Sequence, residues 1–79
     1  MTKEEFIAKL NASLAEEFEV EESVLVPEAS IKETLELDSL SFVDLIALVE
    51  SVSGVKVAGT EVAKIATFGE LYDYVYERM

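Results

Sequence analysis

Apolar residues recur at helical spacing in three stretches of the chain and lose that rhythm between them. Phe6, Ile7, Leu10, Leu14 and Phe18 share one face of a helix. Thr2 and Glu5 stand ahead of them as a capping box, a hydroxyl and a carboxylate three residues apart that satisfy the first free amides. The pattern predicts a helix from about residue 3 to 18. A second helix is predicted from Ser39 to Ser53, with Gly54 where a left-handed C-terminal cap belongs. At about 100° per residue, Phe42, Leu45, Ile46, Val49 and Val52 of this helix face inward. Thr67 and Glu70 repeat the capping signature, and Phe68, Leu71, Tyr72 and Val75 then follow at i, i+3, i+4 and i+7, predicting a last helix to about Glu77.

The intervening segments are read differently. Glu19 to Asp38 has no sustained period and holds the only proline, Pro27, so it is predicted as a long connection pinned by Val24, Leu25, Ile31, Leu35 and Leu37. Gly59 and Thr60 open a short segment, Glu61 to Ile65, with room for a turn or two of helix. No stretch alternates with the period of a strand and no internal repeat is visible. The expected fold is all-α: a small four-helix bundle of three main helices plus a short third one, with a long loop between the first two. Residues 1–79 are read as a single domain.

Charge narrows the range of partners. Six Lys and Arg against seventeen Asp and Glu give a net charge of −11, while an apolar fraction of 51% is too high for a chain that stays disordered. Such a surface repels the phosphates of nucleic acid and anionic lipid headgroups and attracts proteins with basic patches. Self-repulsion favours a monomer of modest stability, strengthened by salt or divalent cations. The sequence has neither Cys nor His, which removes disulfides, thiol nucleophiles, thiolate metal sites and the commonest general base. Its longest wholly apolar run, Leu45 to Val49, is too short to enter a bilayer, and Met-Thr-Lys-Glu-Glu lacks the apolar core of a signal peptide, so a cytoplasmic protein is expected.

The second predicted helix carries what chemistry there is. Its outer side presents Leu40, Asp44, Ala47 and Ser51, with Leu48 beside them, a mixture of apolar and acidic groups suited to docking. The competing reading is a helix buried nearly all round, with Asp44 and Glu50 merely solvated. With Asp38 as N-cap, its carboxylate takes the orphan amides of the first turn and leaves the Ser39 hydroxyl pointing outward. A phosphate ester there would sit near the positive end of the helix dipole, although a serine at a helix start also reads simply as a cap. Glu16, Glu17, Glu19, Glu21 and Glu22 form a diffuse acidic cluster without the ligand spacing of a calcium loop, so no metal site is assigned. Tyr72 is expected to point to the core, with Tyr74 and Tyr76 nearer solvent. Gly54, Gly59 and Gly69 are too scattered to cradle a phosphate, and no serine has an imidazole to activate it, so no catalytic residue is assigned.

Leu35-Glu-Leu-Asp-Ser-Leu40 followed by an amphipathic helix resembles the Asp-Ser-Leu motif of acyl carrier proteins. The resemblance extends over the chain in length, acidity, the long first connection and the Glu61-Val-Ala-Lys-Ile-Ala-Thr67 segment before a Tyr-rich final helix. It implies that Ser39 receives a covalent 4′-phosphopantetheine arm from coenzyme A through a separate phosphopantetheinyl transferase, and that Asp38 helps present the site. It further implies that Leu40, Asp44, Ala47 and Glu50 belong to a recognition helix gripped by the basic docking patches of acyl-processing enzymes. The arm's thiol would carry acyl intermediates as thioesters for fatty-acid or related biosynthesis, with the cleft between the second and third helices admitting part of the acyl chain. Two departures stand out: Glu36 replaces a glycine common two residues before the motif's Asp, and Ser41 and Ser51 stand where carboxylates are frequent. The alternatives are a carrier of D-alanine, a polyketide or an amino acid, or an acidic helical interaction module with no prosthetic group.

Overall fold

A computed structural model describes residues 2–79 and shows which local signals hold. Helix α1 spans Lys3–Phe18 behind the expected capping box: the Glu5 amide donates to Thr2 Oγ1 at 3.1 Å, and the Thr2 amide donates back to Glu5 Oε1 at 3.4 Å. Phe6, Leu10 and Leu14 form its buried stripe, with Ile7 and Phe18 half-buried at its margins. The helix stops where Glu19 turns left-handed, at φ 54°, and its amide closes on the Ala15 carbonyl.

The connection is more ordered than its missing period suggests. After a single 3₁₀ turn at Glu22–Val24, residues Ile31–Leu35 form a short helix, α2, capped by the Ser30 hydroxyl, which accepts from the Glu33 amide. Leu25, Ile31 and Leu35 are buried as anchors and Leu37 is half-buried, but Val24 is 43% exposed and pins nothing. Backbone bonds tie the connection to the start of the last helix: Ile31 N–H to Ala66 O at 3.0 Å, Phe68 N–H to Ala29 O at 3.3 Å and Gly69 N–H to Pro27 O at 3.0 Å. From the core side, the Tyr72 hydroxyl donates to Asn11 Oδ1, and Tyr72 and Asn11 both approach the Leu25 carbonyl. Burial of the Tyr72 ring raises the pKa of its phenol above the ordinary value.

Helix α3, Ser39–Ser53, ends at Gly54 with φ +73°, the left-handed cap that glycine adopts without strain. The short third helix of the sequence reading is α4, Gly59–Val62, a single helical turn that ends before Ile65. Helix α5 covers Phe68–Glu77 and buries Phe68, Leu71, Tyr72 and Val75, while Tyr74 and Tyr76 remain half-buried. Thr67 accepts from the Glu70 amide as expected, but the Glu70 carboxylate closes on the Ala66 amide instead of returning to Thr67. The Tyr74 hydroxyl donates to Glu61, linking α5 to α4, and that carboxylate raises the phenol's pKa.

The architecture is all-helical, and the described residues contain a single antiparallel bridge, Ser30 with Thr67, in place of any strand. The core is one contiguous cluster of fourteen buried side chains, to which every α-helix and the long connection contribute. On α3 only Leu45 and Val49 are fully buried; Phe42, Ile46 and Val52, expected inward, are half-covered, Phe42 and Ile46 on the side where Gly59 of α4 approaches and Val52 on the side toward α1.

Candidate functional site

The chain turns sharply into α3. Glu36, just past the end of α2, takes the left-handed conformation at φ 50° and ψ 51°, which lets Leu37 fold toward the core and Asp38 start the next helix. Asp38 is extended, at φ −112° and ψ −172°, and its Oδ1 accepts the Ser41 amide at 2.8 Å. That amide, with the Ser41 hydroxyl adding to it, holds the Asp38 carboxyl below the usual carboxylate range. The cap is therefore charged at neutral pH. Ser39, the first helical residue, is exposed, as the outward-hydroxyl reading requires.

Ser39 opens onto a cavity of about 350 Å³ lined by Lys32, Leu37, Asp38, Ser39, Phe42 and Ala63. These residues come from α2, the turn, the first residues of α3 and Ala63 just past α4, so the cavity lies mainly against the α2–α3 turn. A larger depression of about 440 Å³ lies along α1 and α3, between Glu16, Glu17 and Asp44 and over Ala47, Leu48 and Val52. It does not include Ser39.

Leu40 is 78% exposed, and Asp44, Ala47 and Ser51 are exposed with it, so the outer stripe is real surface. Val43, at 61% exposure, extends the apolar part of this stripe. The sequence reading missed it, although its position three residues after Leu40 carries the signal. Glu50 is placed apart from the stripe. It is half-buried, and its Oε2 accepts the Val57 amide at 3.1 Å, bracing the turn after α3. Lys32 and Ala63 also escaped sequence reading, because only the turn at Glu36 and the return of α4 bring them beside Ser39.

An exposed serine beside a charged, helix-capping aspartate, at the head of a helix with a mixed apolar and acidic face, is an arrangement that a modifying enzyme could reach. The comparisons agree: residues 8–75 match the family described as a phosphopantetheine attachment site. The chain belongs to this family, within it to the acyl carrier proteins, and its prosthetic group is covalently attached 4′-phosphopantetheine. The acyl carrier protein of Rubrobacter xylanophilus is 42% identical over 77 residues, covering 98% of this chain and 95% of that protein. That of Thermotoga maritima is 35% identical over 78 residues, covering 99% and 96%. The meromycolate extension acyl carrier protein of Mycobacterium leprae is 33% identical over 75 residues, covering 95% of this chain and 65% of that protein. No helix among the described residues is long and apolar enough to cross a membrane.

Proposed function

We propose that Ser39 is the attachment residue and that the protein presents acyl groups on its arm to a succession of enzymes without catalysing a reaction itself. The observation that carries this reading is the exposed Ser39 at the first position of α3, on the rim of the cavity and beside the capping Asp38. In a separate transferase, Ser39 Oγ attacks the phosphorus of the coenzyme A pyrophosphate that is esterified to pantetheine. A Ser39 phosphodiester forms, the pyrophosphate P–O bond breaks, the adenosine bisphosphate leaves, and the serine proton passes to the transferase's base. The bound arm supplies a terminal thiol that carries acyl groups as thioesters, the reactive sulfur that a chain without Cys lacks.

The chain's own residues set the rest. Asp38 fixes the first turn of α3 and thereby the direction of the Ser39 hydroxyl. Leu40, Val43, Asp44 and Ala47 form a docking stripe whose small area and mixed character favour weak, quickly released contacts with basic patches. Covalent tethering raises the effective concentration of the cargo at each partner, so tight binding is unnecessary. On this reading the carrier is a monomeric, single-domain cytoplasmic protein serving fatty-acid or related synthesis, and its charge of −11 opposes self-association.

The test is loading of apo-protein with coenzyme A and a transferase, followed by intact mass. Wild type is expected to gain the arm, and Ser39→Ala to gain nothing while keeping the same circular dichroism. An alanine variant that acquires the arm, or an apo wild type that does not, overturns the assignment.

A further inference from the structure

The cavity beside Ser39 has two chemically distinct parts. Leu37, Phe42 and Ala63 are apolar, whereas Lys32 is the one cation and Asp38 the one carboxylate in the lining. Asp38 is already committed to the Ser41 amide at 2.8 Å, so the positive end of the α3 dipole is partly neutralised before any anion arrives on Ser39. A phosphodiester on the neighbouring oxygen would add a second negative charge beside the first. Lys32 is positioned to compensate it. It is exposed, with no carboxylate within ion-pair distance, the single ion pair among the described residues being Lys3 with Asp73. Glu36 stands four residues on, a spacing that pairs within a helix, but α2 ends at Leu35 and Glu36 is left-handed, which carries its side chain out of that register. Lys9, Lys56, Lys64 and Arg78 likewise form no ion pair among the described residues, but of these basic side chains only Lys32 lines the cavity at Ser39, where an anion on that oxygen would come within its reach.

We propose that Lys32 is a positioning residue that pairs with the phosphodiester on Ser39, and that the apolar branched segment next to the phosphate packs on Leu37, Phe42 and Ala63. This rests on Ser39 carrying the arm. The cavity's volume of about 350 Å³ falls within the roughly 300–1,000 Å³ of small-molecule pockets, so a tethered group fits without opening the core. An ammonium on a flexible stem is suited to a single phosphate charge, and its hold weakens as salt rises. Between encounters with partners, the proximal arm is thus held along the α2–α3 turn.

The experiment uses loaded protein, with intact mass confirming one arm per chain. In the wild type, nuclear Overhauser contacts are expected between the arm's geminal methyls and the Phe42 ring, and the phosphorus resonance is expected to move with salt. Lys32→Gln should weaken those contacts by at least half and displace the phosphorus resonance, whereas Lys32→Arg should preserve both. Because Lys32 is exposed, the apo variants should fold as the wild type does, Lys32→Arg sharing its unfolding midpoint and Lys32→Gln falling slightly below it as the net charge passes from −11 to −12. A fully loaded wild type without contacts to Phe42, or a Lys32→Gln protein indistinguishable from it in contacts and phosphorus shift, overturns this proposal alone. Failure of the wild type to gain the arm overturns the Ser39 reading and this one with it.

Discussion

At the scale of single residues, Asp38 and Glu36 set the geometry on which the site depends. The Asp38 carboxyl is held below its usual value of 3.8 because the ionised form accepts the Ser41 amide. A depressed folded-state pKa contributes stability that is complete above the unfolded value and is lost as pH falls through the lower folded one. The stability difference between wild type and Asp38→Asn should therefore be constant near neutrality and shrink on acidification below 3.8, as followed by urea unfolding across pH. Glu36 holds a left-handed conformation that costs a non-glycine residue roughly 1–2 kcal/mol. Glycine relieves that strain but gives back part of it through a freer unfolded chain, so Glu36→Gly should stabilise by about 0.5–1 kcal/mol. The check is the urea midpoint at unchanged slope. An unmoved or lower midpoint would mean that Glu36 makes compensating contacts.

At the scale of elements, the long connection is the part that the rest of the fold must hold down. It crosses the start of α5 so closely that a Cβ on Gly69 would meet Pro27 Cβ and the Pro27 carbonyl oxygen, both at 3.2 Å. That oxygen also accepts the Gly69 amide, so it has little freedom to retreat. Overpacking of this kind costs roughly 1–3 kcal/mol, against at most about 1 kcal/mol gained from alanine's helix propensity. Gly69→Ala should be destabilising on balance and should speed hydrogen exchange at the Ile31 and Phe68 amides, which tie the two segments together. Normal protection of both amides in that variant would show that the crossing is looser than its geometry implies.

For the whole molecule, unbalanced charge is the dominant long-range force. Eleven net negative charges occupy a body of 28 × 27 × 20 Å whose described residues form one ion pair. At 0.01 M ionic strength the screening length is about 30 Å, so charges repel across the entire molecule; at 0.15 M it is about 8 Å and only neighbours interact. The thermal midpoint should therefore rise over this salt range. A midpoint that is unmoved or falls would show that local interactions of the opposite sign outweigh the general repulsion.

What was legible in the sequence followed from short-range causes. Helices α1, α3 and α5 were readable because each spans at least ten residues, long enough for its apolar period to repeat, and each opens on a side-chain cap within three residues of the amide it serves. The Asp38–Ser39 pair was readable for the same reason, since a cap and its helix are neighbours in the chain. Helix α2 was not, because five residues are too few to display a period. Only the tertiary structure could decide that Glu50 braces the turn at Val57, that Phe42 and Ile46 are left half-covered, and that Lys32 and Ala63 meet beside Ser39. Those outcomes depend on two reversals of the backbone, at Glu36 and at Gly54, that join segments with no local interaction to announce the contact.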